Sequence, residues 1–152
     1  MRLFVFLHVL TMILAVGMSG GAEILVHRVV ATGQLAPIRT MLDTYGRIAR
    51  LIAPTFILGA VFGVIAIFTE GFNPFQAWLI TAYVLFAAGI VVGSVLSGGW
   101  ASRLASASAA AASDEDPGFR AALADGSGRM GLALFWLIIA AIVFVMVVKP
   151  FS

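Results

Sequence analysis

The sequence predicts an all-α protein, a four-transmembrane-helix bundle with a cytoplasmic interfacial amphipathic helix, and two observations lead to that class. Hydrophobic residues make up 62% of the chain and charged residues only 11%, whereas soluble domains carry about 25% charged residues. Four stretches also reach roughly the 20 apolar residues that a helix needs to cross a bilayer. Because none shows the period-two alternation of a membrane barrel, the spans are expected to be helices.

The four predicted spans belong to a single membrane domain that comprises residues 1–152, and they cover residues 3–22, 48–69, 76–98 and 131–148. The first helix can continue as far as Val30. Its start resembles a signal peptide, with Arg2 before an apolar run and small residues after it. Since the apolar run is long, we expect a retained helix.

The basic residues predict the orientation of the chain. Two long connections hold seven of the nine basic residues: Arg28, Arg39, Arg47, Arg50, Arg103, Arg120 and Arg129. The opposite side has only Arg2 and Lys149. Because basic loops stay in the cytoplasm, the two long connections are expected there, with the N- and C-termini outside.

The first long connection, APIRTMLDTYGRIARLIAP, is amphipathic. Apolar side chains between Ile38 and Ile48 recur at helical spacing, with charged residues on the other faces. Asp43 and Arg47 form a favourable i,i+4 pair. The pattern predicts a helix that lies at the membrane interface before the second span. Pro54 is expected to kink the start of that span or to begin a separate helix.

The second long connection predicts a short surface helix that starts at Asp116 and Pro117 and stops at Gly126. Small residues predict how the spans associate, since helices in lipid pack through close backbone approach. Glycine pairs four residues apart occur in three spans: Gly17 and Gly21, Gly59 and Gly63, Gly89 and Gly93. The fourth span lacks such a pair, and we expect it at the periphery or across the open side of the other three.

Ionisable residues inside a bilayer are costly and are therefore functional candidates. His8 lies roughly 7–8 Å inside the first helix at 1.5 Å per residue, and Tyr83 and Met146 are expected at a similar depth on the third and fourth helices. Two arrangements are open. His8 ligates the iron of a b-type haem, with Met146 or, less suitably, Met12 of the same helix as second ligand. Alternatively, His8 hydrogen-bonds Tyr83 or a backbone carbonyl and joins two helices.

Glu23 and His27 are secondary candidates, one helical turn apart at the cytoplasmic edge. Together they could accept protons, hold a second haem or metal ion, or form an interfacial ion pair beside Arg28. His27 lies about 28 Å along the helix from His8, so the two histidines cannot share one iron. No third metal ligand is evident. The chain has no cysteine, and no nucleotide, hydrolase or nucleic-acid motif is present.

The segment LHVLTMILAVGMSGGAEILVHR resembles the opening helix of the superfamily that contains copper-resistance protein D and the membrane-bound, oxygen-independent protoporphyrinogen oxidases. Across its length the chain is similar to a family of bacterial four-helix membrane proteins of unknown function, through GAVFG, FNPFQAWL and the closing MVVKPFS. The resemblance implies a haem b held by His8, in a bacterial inner (cytoplasmic) membrane. Gly, Ser and Glu23 replace the aromatic residue and Pro-Arg step of the oxidases, and the third span has no basic residue, so protoporphyrinogen oxidation is not implied.

Residues and resemblance together predict a polytopic membrane protein that binds haem through His8, near Tyr83 and Met146, in electron transfer or tetrapyrrole handling. Whether it is an enzyme stays open. The alternative is a non-catalytic subunit of a larger respiratory or photosynthetic membrane complex, or a homo-oligomer, because small-residue pairs are abundant and polar groups few. A copper or small-solute carrier fits less well, since cysteine and a polar pathway are lacking.

Overall fold

The computed structural model describes residues 2–150, and short connections separate its helices. The α-helices are α1 Leu3–Val30, α2 Leu35–Thr69, α3 Ala77–Val91, α4 Gly99–Ala110, α5 Pro117–Ala124 and α6 Ser127–Val148. A π-helical segment, Val92–Gly98, joins α3 directly to α4. The last residues of the MVVKPFS segment, Phe151 and Ser152, lie outside the described residues.

Four helical stretches are long and apolar enough to cross a membrane: Leu3–Val30, Leu35–Thr69, Ala77–Ala110 and Pro117–Val148. The predicted all-α class with four spans is therefore confirmed. Helix α2 has 35 residues and is about 52 Å long, whereas the hydrocarbon core of a bilayer is about 30 Å thick. Helix α2 is therefore longer than one bilayer span. The end of the molecule where the two long connections lie is called the arginine-rich end. The turn end is the opposite end, with the α2–α3 turn.

The structure does not show the predicted interfacial helix as a separate element. Its residues form the first part of α2, which continues without a break through Pro54. Ile38 and Leu42 are buried there, in one cluster with Leu104 of α4 and Phe119 of α5. The apolar face of this segment is thus covered by other helices of the same chain.

Two local predictions about charged residues are confirmed. Arg47 donates a hydrogen bond of 2.7 Å to the carboxylate of Asp43, one turn earlier on α2. The carboxylate of Asp116 caps α5, since it accepts hydrogen bonds from the backbone N–H groups of Gly118 and Phe119. Helix α5 ends at Ala124, close to the predicted stop.

Buried apolar side chains form two clusters at opposite ends of the bundle. The cluster at the arginine-rich end contains Val26, Leu35, Ile38, Leu42, Trp100, Leu104, Ala111 and Phe119. The cluster at the turn end contains Ile67, Trp78, Leu79, Ala82 and Val145. A polar contact reinforces each cluster. Arg39 donates to the carbonyl oxygens of Ser108 and Ala111 at the end of α4, and the ammonium of Lys149 lies 4.6 Å from the ring centroid of Phe72.

Between these clusters the helices associate as two pairs. Helix α1 packs along α2, while α3 and the π-helical segment pack along α6. The pairs are joined through α1 with α6 and through α2 with α4. The backbones of α2 and α3 stay apart after their short turn, and the gap is bridged by the rings of Phe56 and Phe86, whose centroids are 6.3 Å apart. The bundle is therefore open between α2 and α3.

Glycine residues provide close contacts between helices. Only some of the predicted glycine pairs take part in them. A Cβ on Gly59 would lie 3.0 Å from the Met12 side chain, and one on Gly63 would lie 2.8 Å from Nδ1 of His8. The pair on α2 thus receives α1, as predicted. By contrast, Gly17 faces open space, as does Gly21, its predicted partner. The prediction for α1 is wrong, because a spacing of four does not reveal which face meets a neighbour.

Helix α6 is packed against its neighbours more closely than its sequence suggests. A Cβ on Gly131 would lie 2.6 Å from the Ser97 hydroxyl and 3.1 Å from the Ser97 backbone nitrogen. Gly128 similarly lies directly against the Trp100 ring. These two glycines are three residues apart, so they do not match the four-residue spacing by which the sequence predicts close helix contacts. They place α6 against the π-helical segment and α4 rather than at the periphery.

Gly131→Ala is expected to lower the stability of the purified protein by about 1–3 kcal/mol, because the added methyl group overpacks a contact that includes backbone atoms. Gly21→Ala is the matched control, since a Cβ there meets open space. That variant should stay within about 0.5 kcal/mol of the parent. Unfolding in mixed detergent micelles measures both, and equal stabilities would contradict the contact between α6 and the π-helical segment.

Candidate functional site

A cavity of about 960 Å³ lies where α2 and α3 stay apart. Its wall includes residues of α1, α2, α3, the π-helical segment, α4 and α6, and most of these side chains are apolar. Phe56 of α2, Phe86 of α3 and Phe135 of α6 are among them. Small-molecule sites have volumes of about 300–1,000 Å³ and mainly apolar walls with a few polar groups. The cavity therefore has the size and the character of a ligand site.

The polar groups of the cavity wall come from several elements. They are Ser19 and Glu23 of α1, Tyr45 of α2, Ser94 of the π-helical segment and Ser102 of α4. Glu23 is the single carboxyl group among the described lining residues, and none of those residues is Lys, Arg or His. The cavity thus combines an extended apolar wall with one acidic group on the half of α1 nearer the arginine-rich end.

Glu23 is a buried carboxyl group with one unpaired oxygen atom. The residue is only 7% exposed, and its Oε2 makes no hydrogen bond. None of the ion pairs formed within residues 2–150 involves it. A buried polar atom left unpaired costs about 1–3 kcal/mol, and more when it is charged. A buried polar group that lowers stability in this way, in the wall of a cavity, indicates a residue that is kept for binding or catalysis.

The π-helical segment brings a buried hydroxyl group close to Glu23. The side chain of Ser97 is buried and lies next to the Glu23 carboxyl. Gly93, Ser94 and Gly98 of the segment line the cavity. Insertions of π-helical turns are rare and frequently occur at functional sites. Sequence reasoning noticed Gly93 as a packing residue, but nothing local in VGSVLSG distinguishes a π-helical from an α-helical turn.

Hydrogen bonds fix the helix that follows this segment. Arg103 of α4 donates to the carboxylate of Asp125 at 2.9 Å and to the hydroxyl of Ser127 at 2.8 Å. Asp125 also accepts a hydrogen bond of 2.9 Å from the backbone N–H of Ser127. The start of α6 is therefore tied to α4, which holds Ser97 and Gly131 in register.

His27 does not pair with Glu23, although the sequence places it one helical turn away. Its ring stacks on Trp100, with centroids 4.6 Å apart and planes inclined by 11°. It lines a separate cavity of about 180 Å³ together with Asp125 and Arg129. Across the described part of the chain, no three His, Cys, Asp or Glu side chains are grouped so that they could hold a metal ion.

His8 lies between α1 and α2 and joins them. Its Nδ1 is 2.7 Å from the carbonyl oxygen of Gly59, and its ring packs against Gly63. Since a carbonyl oxygen only accepts, Nδ1 must carry the proton. The sequence leaves two arrangements open for His8, a haem ligand or a hydrogen bond that joins two helices. The structure shows a hydrogen bond of the second kind, to the backbone carbonyl of Gly59.

The structure does not bring Tyr83 and Met146 to His8. Tyr83, on α3, is 43% exposed, and Met146 packs against the cluster at the turn end. Within residues 2–150, α1 and α3 make almost no contact, and His8 does not line the large cavity. The structure therefore places His8 in the interface between α1 and α2, and the haem ligand set stays a prediction.

Comparison of the chain with protein-family models, curated proteins and solved structures finds no match. The relationship to the copper-resistance protein D superfamily therefore stays a prediction from the first helix. The chemistry of the cavity and of the His8 contact is what distinguishes the candidate functions.

Gly63→Ala is expected to destabilise the protein by about 1–3 kcal/mol, because the new Cβ would overpack against the His8 ring. In a His8→Ala background most of that loss should disappear, which gives a coupling energy of about 0.5–3 kcal/mol in a double-mutant cycle. Unfolding in detergent micelles provides the four free energies.

The matched cycle combines His8→Ala with Gly17→Ala, since Gly17 faces open space. Its two substitutions should be additive. Additivity in the Gly63 cycle as well would contradict the contact between His8 and α2.

Proposed function

We propose that this protein binds a lipid-soluble molecule in the cavity between α2 and α3. The observation that carries the proposal is the buried, unpaired carboxyl group of Glu23 in the wall of a large apolar cavity. An apolar cavity in a membrane can be filled by lipid chains without any polar group in its wall. A buried carboxyl group that forms no ion pair within residues 2–150, and whose Oε2 accepts no hydrogen bond there, favours a ligand that supplies a partner.

The shape of the site supports entry from the bilayer. The opening lies between α2 and α3, and both belong to stretches long and apolar enough to span a membrane, Leu35–Thr69 and Ala77–Ala110. Exposed side chains on both helices, such as Ile57 and Ile90, border the cavity and would face lipid. The apolar part of a ligand would lie in the cavity beside Phe56 and Phe86, with its polar group at Glu23.

The orientation of the site follows from the charges. We place the arginine-rich end in the cytoplasm, because seven of the nine basic residues lie in its connections. The N- and C-termini are then outside. The carboxyl group of Glu23 lies seven residues before the end of α1, and therefore in the half of the membrane that faces the cytoplasm.

A b-type haem ligated by His8 is a second candidate, and one observation favours it. The Nδ1–H group donates to the Gly59 carbonyl oxygen, which is how metal-ligating histidines are commonly oriented, with Nε2 left for the metal. Met146 stays the predicted second ligand and Tyr83 a predicted neighbour of the haem under this candidate. Electron transfer or tetrapyrrole handling would be the role under this candidate.

A neutral photoactivatable probe, an aryl diazirine, tests the cavity in protein reconstituted into lipid nanodiscs. Labelling of cavity residues such as Phe86 and Ile138 is expected to saturate with probe concentration and to be displaced by excess unlabelled arene. Labelling of lipid-facing residues such as Phe6 should instead increase linearly with the probe concentration. Peptide mapping by mass spectrometry separates the two classes.

Variants that fill the cavity provide the control. Gly93→Trp should remove the saturable labelling, because Gly93 lines the cavity and has free space for a side chain. Ala60→Trp, from the opposite wall, should do the same. Gly17→Trp should leave it unchanged, since Gly17 also faces open space but lies outside the cavity. Linear labelling of every residue in the parent protein would contradict the proposal.

For the haem candidate, protein expressed with added haem is expected to show a Soret band and, after dithionite reduction, sharp α and β bands. His8→Ala should lose these bands and His27→Ala should keep them. Absence of a Soret band in the parent protein would exclude this candidate and leave His8 as a residue that joins helices.

A further inference from the structure

We infer that the ligand of the cavity is a lipophilic monocation, which binds in exchange for the proton of Glu23. The inference rests on the proposed function, since it names the class of molecule held at that same site. It follows from the charge of the cavity wall, from the surroundings of Glu23 and from the aromatic side chains that line the cavity.

The cavity wall is complementary to a positive charge. Glu23 is its single carboxyl group, and within the described residues the wall contains no Lys, Arg or His. An anionic head would meet a carboxyl group and no counter-charge. A cation would meet the one acidic group available, together with the acceptor oxygens of Ser19 and Ser94.

Among residues 2–150, no charged group already neutralises Glu23. On its own helix, His27 is stacked on Trp100 and faces the smaller cavity with Arg129 of α6. From α2 it is faced by the phenol of Tyr45, and from the π-helical segment by the hydroxyl of Ser97. Arg103 of α4 is engaged by Asp125 and Ser127. A bound ligand can therefore supply the counter-ion of Glu23.

The exchange balances in charge and atoms. A lone carboxylate in an apolar cavity is costly, so the empty cavity holds Glu23 as the neutral acid. When the cation enters, the carboxyl O–H bond breaks, the proton leaves to water, and a carboxylate–cation pair forms. The total charge within the cavity is zero before and after, and burial of the pair avoids the penalty of a single buried charge.

The aromatic side chains favour a cation with bulky apolar substituents. Phe56 and Phe86 bridge the opening, while Phe135 and Tyr45 line other parts of the wall. Aromatic faces attract cations at short range, most strongly where water is excluded. A delocalised cation that carries aryl or alkyl groups would use both the faces and the volume of the cavity.

Two probes of equal shape and opposite charge, tetraphenylphosphonium and tetraphenylborate, test the inference by equilibrium dialysis against nanodiscs. Tetraphenylphosphonium is expected to bind saturably, and its affinity should rise roughly tenfold per pH unit while Glu23 exchanges one proton. In weakly buffered solution, each cation bound should release one proton. Tetraphenylborate should show only the partitioning measured with empty nanodiscs.

Glu23→Gln should abolish saturable binding of the cation. Glu70→Gln is the matched control, because Glu70 pairs with Arg2 at the turn end and does not line the cavity. Glu23→Asp keeps the carboxyl group and should bind more weakly with the same pH dependence. This variant tests the inference even where Glu23→Gln folds poorly.

The outcomes separate the inference from the proposed function. Saturable labelling by the neutral diazirine without cation binding would overturn the inference and leave the proposed function standing. Cation binding that is independent of pH, or equal in Glu23→Gln, would also overturn it. Failure of both the neutral and the cationic probes would overturn the inference together with the proposed function.

Discussion

Helices in a bilayer gain little from burying apolar surface, and the architecture of this protein follows from that constraint. Where glycine lets two backbones approach, helices join: α1 meets α2 at Gly59 and Gly63, and α6 meets the π-helical segment at Gly131. Between α2 and α3 no such contact exists, and two phenylalanine rings bridge the gap. The cavity is therefore the part of the bundle that close packing does not reach. The apolar clusters at the two ends hold it in place.

The polar chemistry is concentrated beside this gap. Glu23 and Ser97 come from elements far apart in the sequence, and the fold places their buried polar side chains next to each other. A bundle selected only for stability would replace them with apolar side chains of similar size. Their position next to an apolar cavity connects the π-helical segment with Glu23, which is the one buried acid within residues 2–150. This coincidence is the physical basis for a binding role, and it does not depend on His8.

Much of the fold could be predicted because it depends on local patterns. Hydropathy alone indicates the four spans, and Asp116 followed by Pro117 marks the start of α5. The site could be predicted only in part, because tertiary contacts decide it. The sequence places Glu23 and His27 one helical turn apart, as a pair would be. In the structure, however, the His27 ring stacks on Trp100, and Ser97 lies beside the Glu23 carboxyl group. The sequence also gives His8 two roles of equal standing, and only the Gly59 carbonyl oxygen at 2.7 Å shows which contact forms.

A high-resolution crystal structure of the protein grown in a lipid phase, after purification from its own membranes, would test the central claim most directly. Electron density for a bound molecule is expected in the cavity between α2 and α3, with a polar or charged atom within hydrogen-bonding distance of the Glu23 carboxyl group. A bundle in which α2 and α3 close against each other, with Glu23 fully paired to groups of the protein, would contradict it.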